Sequence, residues 1–143
     1  MDIVDKVARF GIVGPVERYS LKYVNLIQAP TIADQIAKIN IAVKVGDVEV
    51  RDDHLSMQVH RHEDDTLHIM SVVTGAQTKQ ADGKHLFGAV VDIDSIRTVH
   101  FSDFAAFSSK LEPAVETLRL ANKIKFFSCL TEATINEMGP KYD

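Results

Sequence analysis

Tryptophan is absent, cysteine occurs once, and the 143 residues include only four prolines and seven glycines. A lone cysteine excludes an internal disulfide, and with it the stapled class of small secreted domains. So few prolines and glycines exclude a low-complexity linker or a collagen-like chain. No apolar run approaches the roughly 20 residues that cross a bilayer as a helix, so no membrane partner is expected. An excess of positive charge is missing too: 16 basic side chains stand against 20 acidic ones. Such a chain has no overall field for phosphates, and nucleic acid is not expected as a partner. The opening residues MDIVDKVARF carry acid where a secretory signal carries base, and the expected compartment is the cytoplasm. Neither an HExxH helix, a Cys/His pairing, a phosphate-cradling glycine loop nor a Gly-x-Ser-x-Gly elbow occurs. Hence no metal and no cofactor are expected, and no catalytic residue is assigned.

What the chain does have is enough apolar content, 45% of its residues, to fill one core. A single α+β domain over residues 1–143 is the expectation. Its organising stretch is VERYSLKYVNLIQ, residues 16–28. There Tyr19, Leu21, Tyr23 and Ile27 alternate with Arg18, Ser20 and Lys22, the period of a half-buried strand. Asn25 interrupts the apolar side, and a buried amide must find partners.

Around that strand the pattern changes in order. Residues 2–10 place Ile3, Val4, Val7 and Phe10 at helical spacing and close on Gly11. Thr31 followed by Asp34 is a weak capping box that opens a helix with Ile32, Ile36 and Ile39 along one stripe. Residues 41–45 and 48–50 read as strand broken at Gly46-Asp47. Leu55, Met57 and Val59 begin a hairpin whose return, LHIMSVV, is apolar on both faces over residues 69–73. Asp82-Gly83 turns into HLFGAVVDIDSI, with Phe87, Ala89, Val91 and Ile93 on one face and Gly88, Val90, Asp92 and Asp94 on the other. The last third is helical, with Ser102 as the expected N-cap and a kink expected at Glu112 before Pro113. Cys129 continues its apolar stripe and reads as core rather than nucleophile. Thr131 opens a final helix that Gly139-Pro140 ends.

The order strand, helix, four strands, long helix predicts an antiparallel sheet of about five strands wrapped around a kinked C-terminal helix. That is a helix-grip or TATA-binding-protein-like arrangement, with a ferredoxin-like sandwich as the alternative.

RYSLKYVNLI resembles the hallmark of a sporadically distributed family of prokaryotic proteins of unknown function. Its C-terminal half carries Arg-x-Gly-Leu-Arg-Tyr-x-Asn-Arg-Ile. Arg18, Leu21, Tyr23, Asn25 and Ile27 match it, whereas Ser20, Lys22 and Leu26 depart from it. VVDIDS and FFSCLTEA are similar to two further segments of that family. Its members are longer, so the resemblance implies either a short member or the C-terminal domain of a larger protein. It implies no activity.

Two constellations follow from the alternation. If the first strand pairs with HLFGAVVDIDSI, Arg18 and Lys22 share a face with Asp92 and Asp94. Together with Asn25 they are the candidate ligand or partner residues, against a background of ordinary cross-strand ion pairs. A five-residue loop after Arg61 would set His68 across from His60, near His62; hairpin-tip polarity is the reading adopted, not a metal. The expected function is a non-catalytic interaction domain that forms a homodimer or docks a protein through its sheet. The alternative is a small-ligand binder or enzyme with its polar site at the sheet face.

Overall fold

A computed structural model describes residues 3–11 and 13–139. In chain order the elements are α1 (Ile3–Phe10), β1 (Val16–Gln28), α2 (Ile32–Lys38), β2 (Lys44–Val45), β3 (Val48–Glu49) and β4 (Ser56–Glu63). There follow β5 (Thr66–Lys79), β6 (His85–Phe101), α3 (Phe104–Ser108), α4 (Leu111–Ser128) and α5 (Glu132–Met138). The fold is α+β, and its main sheet is antiparallel with strand order β1-β6-β5-β4.

Alternation decides the sheet. Because side chains on a strand point alternately to its two faces, the register sorts every residue. Tyr23 lies opposite Ile93 and Ile93 opposite Met70, so the tyrosine side of β1 shares a face with Val91, Ile93 and Val72. That face is covered by helices. The stripe Leu118, Asn122 and Phe126, four residues apart on α4, is buried against β6 and β1. Ile27, Ile39, Val72, Ala89, Val91, Ile93, Phe126 and Leu130 form the core. Each large side chain so buried contributes roughly 1.5–3 kcal/mol. A second apolar cluster gathers Tyr19, Phe101 and Phe104 around Phe107, with ring centroids 5.3 to 6.2 Å apart.

Several expectations are met locally. Thr31 caps α2 by accepting from the Asp34 amide, and Thr131 caps α5 by accepting from Thr134. Gly139 ends α5 in the left-handed region. Asp2 and Pro140 lie outside the described residues.

Others are corrected. The main sheet has four strands rather than five, because β2 and β3 form a separate hairpin around Gly46. Two residues per strand are too few to add to the sheet. Three consecutive strands meander and β1 closes antiparallel on β6, which is not the ferredoxin-like order. The break in the C-terminal helix falls at Ser109-Lys110 rather than at Glu112. Pro113 sits inside the first turn of α4, where a backbone N–H has no intrahelical partner to lose. Asp103, not Ser102, caps α3: its Oδ1 accepts from the Ala106 amide at 2.7 Å while the Ser102 hydroxyl donates to Oδ2. Those bonds hold the Asp103 carboxyl below its ordinary pKa, the Ala106 amide first and the Ser102 hydroxyl second.

Gln35 also escaped the sequence pattern, although it is the most buried residue of α2. Its Oε1 accepts from the Gly75 amide at 2.7 Å, and its Nε2 donates to the Ala29 carbonyl. Gly75, at φ 73°, marks an irregularity where β5 slips against β6 between Val73 and Ala76. A side chain from α2 therefore satisfies a donor that the bulge takes out of the ladder.

Candidate functional site

Opposite the helices, the second face of the main sheet carries no helix or strand among the described residues. The register orders it into rows across the four strands. Ser20, Ile96, Leu67 and His62 make one row; Lys22, Asp94, Ile69 and His60 the next; then Val24, Asp92, Ser71 and Gln58; then Leu26, Val90, Val73 and Ser56. Arg18 and Thr98 stand beyond the first row.

Four of the five candidate residues share this face as expected, but only Lys22, Asp92 and Asp94 are neighbours on it. Lys22 Nζ lies 2.8 Å from Asp92 Oδ2, a diagonal ion pair, since its cross-strand partner is Asp94. The hydrogen bond to Asp92, then its charge, with Asp94 adding to them, raises the Lys22 pKa above its ordinary value. Asp94 Oδ1 is shut off from solvent with no hydrogen-bond partner among the described residues. Arg18 makes no ion pair among the described residues and borders a hollow with His62, Asp64 and Asp65. Around these charges lie apolar side chains: Val24 is 63% exposed and Val73 37%.

Asn25 does not belong with them. It lies opposite Val91 on the helix-covered face, where it borders a cleft between the edge of β1 and α4. A site joining Arg18, Lys22, Asp92 and Asp94 to the helix-sheet interior is thereby ruled out, because the sheet stands between them.

The histidines are corrected as well. The loop after β4 is only Asp64-Asp65, with Asp64 at φ 48°. Arg61 rather than His60 lies opposite His68, and that one-residue difference in register puts His60 and His62 on the open face and His68 on the covered one. No cluster of metal-ligating residues occurs among the described residues. His68 is 2% exposed, and its Nδ1 is 2.9 Å from Ser95 Oγ. Ser95 in turn accepts from Asn122 Nδ2 at 3.0 Å, and Nδ2 also donates to the carbonyls of Leu21 and Ile93. This chain ties β5, β6, β1 and α4 together through polar groups away from water. Burial pushes the His68 pKa down, and the nearby Lys125 charge pushes it further, with Glu63 opposing. Although Ser95 and His68 are the right pair for nucleophile and base, Ser95 is wholly buried and lines neither the cleft beside α4 nor the hollow beside Arg18. Sequence spacing had no way to find this triad, since its members are distant in the chain. Burial likewise raises the Cys129 thiol pKa, so it is protonated at neutral pH.

Comparison with protein-family models, with curated proteins and with solved structures finds no match to this chain. No helix among the described residues is long and apolar enough to cross a membrane.

Proposed function

We propose that this chain is an interaction domain that forms a homodimer by packing its open sheet face against the same face of a second copy. The observation that carries the reading is self-complementarity of that face. A two-fold axis running along the strands lays β6 of one copy over β5 of the other and β1 over β4, at equal height. Val90 then meets Val73, Ile96 meets Leu67, and the Asp92 carboxylate meets the Ser71 hydroxyl. Acid does not oppose acid: in the row between, Asp94 comes over Ile69 and Lys22 over His60. Small rotations toward the usual ~30° between packed sheets leave these neighbours within reach.

Size supports the reading. Four strands about 4.8 Å apart and rows about 6.7 Å apart cover a flat footprint of roughly 500 Å². With the relief of side chains this approaches the ~800 Å² that each partner buries in a standard interface. Closing the face also removes water from the exposed Val24 and Val73. The copies meet in the cytoplasm, a compartment in keeping with a single unpaired cysteine. Membership of the prokaryotic family is part of this proposal: of the matching hallmark residues, Leu21, Tyr23, Asn25 and Ile27 serve the helix-covered face, and only Arg18 is on the proposed interface.

Sedimentation equilibrium of the purified chain tests it. The expected species is a dimer, and Ile69→Asp together with Val73→Asp is expected to give a monomer with an unchanged far-UV circular dichroism spectrum. A wild-type chain that stays monomeric up to millimolar concentration overturns it.

A further inference from the structure

We propose that the cleft between the edge of β1 and α4 binds a small aromatic carboxylate carrying a ring hydroxyl or amino group. The cleft has a volume of about 280 Å³, just under the usual range for ligand sites and room for one substituted ring. Tyr23, Phe126 and Phe127 supply its aromatic walls. Apolar walls with a few convergent polar groups are how a cleft of this size selects a planar ligand.

Three polar groups define the chemistry. Asn122 is 1% exposed, and its Nδ2 is committed to the Leu21 and Ile93 carbonyls and the Ser95 hydroxyl. That commitment turns Oδ1 away from these acceptors, and Oδ1 is buried without a donor among the described residues. A buried acceptor of this kind has lost its water and gained nothing in return, so a ligand N–H or O–H that reaches it restores a full hydrogen bond. The Asn25 amide, on the β1 side of the cleft, makes no hydrogen bond among the described residues and can both donate and accept. The charge comes from α4. Arg119 is engaged by Glu116 through two bonds of 2.6 and 2.8 Å. Lys123 has no ion pair among the described residues. One ammonium with no ion-pair partner in contact, only the charge of Glu116 acting on it from further off, suits a monoanion such as a carboxylate rather than a phosphate dianion.

This site lies on the helix side of the sheet and stands independently of the dimer proposed above. The probe is 4-hydroxybenzoate, titrated into the ¹⁵N-labelled full chain and followed by the side-chain amide signals of Asn25 and Asn122. A saturable shift of both is expected. Benzoate, which lacks the ring donor, and phenol, which lacks the charge, are each expected to bind about tenfold more weakly, as is 4-hydroxybenzoate to Lys123→Met. Lys123 is partly exposed on α4, so its replacement leaves the fold intact, and the Lys123→Arg variant is expected to restore binding. No saturable shift up to 10 mM, a scale well above about millimolar binding, overturns the proposal. So does equal binding of 4-hydroxybenzoate and benzoate, or a Lys123→Met variant that binds as the wild type does.

Discussion

The Gln35 side chain on α2 accepts the amide of Gly75 in β5 at 2.7 Å, which makes one glutamine the fastener between a helix and the bulge of a strand. Gly75 also receives the ring of His54 where any side chain would stand, and its φ of 73° favours glycine. The helix and the bulge therefore depend on each other. Gln35→Leu fills similar volume but leaves the Gly75 donor unpaired, and the expected loss is about 2 kcal/mol in urea unfolding at an unchanged m-value.

Gly88 sits where β6 passes close to the end of β1. A methyl group there would collide with the Ile27 carbonyl oxygen, which is backbone and cannot swing aside. Gly88→Ala is expected to part β1 from β6 locally, with a loss of about 1–3 kcal/mol. Faster amide exchange at residues 26–28 than at residues 19–23 is the expected signature.

His68 makes stability depend on pH. Its folded pKa lies below the 6.5 of an ordinary histidine, so the unfolded chain binds the proton more readily. Its contribution is therefore fully present above pH 6.5 and is lost as pH falls from there toward the folded pKa. Urea midpoints measured between pH 7.5 and about 5 are expected to fall with acidification in the wild type, and His68→Gln is expected to flatten that slope.

Neighbouring valines separate folding from assembly. Val72 is 5% exposed and packs among Val91 and Met57, whereas Val73 is 37% exposed on the open face. Val72→Asp buries a charge and is expected to unfold the chain. Val73→Asp is expected to leave the circular dichroism spectrum unchanged and the species monomeric.

Alternation made the sheet legible in the sequence. The period of two in residues 16–28 and 85–96 placed Lys22 on one face with Asp92 and Asp94, because a one-residue slip would turn the apolar side of the strand out of the core; which of the two aspartates it pairs with came from the structure alone. Where the pattern was short, it misled. The hairpin after β4 is set by two aspartates at its tip rather than by hydrophobic residues, and a one-residue error there exchanged His60 for Arg61 opposite His68. Gln35, Ser95 and Asn122 were invisible for another reason. Polar residues in a covered face look like surface in a sequence, and only their partners, far away in the chain, reveal them.

Residues at the two ends of β1 find their partners far along the chain, Val16 at Phe101 and Gln28 at Gly88. Strands β4, β5 and β6, by contrast, follow one another through short turns. Closing so long a loop is entropically slow, so the meander is expected to assemble first and β1 to dock last. A nascent chain would thus present β6 as a temporary raw edge, and the rate at which β1 arrives sets how long that edge is open to the wrong neighbour.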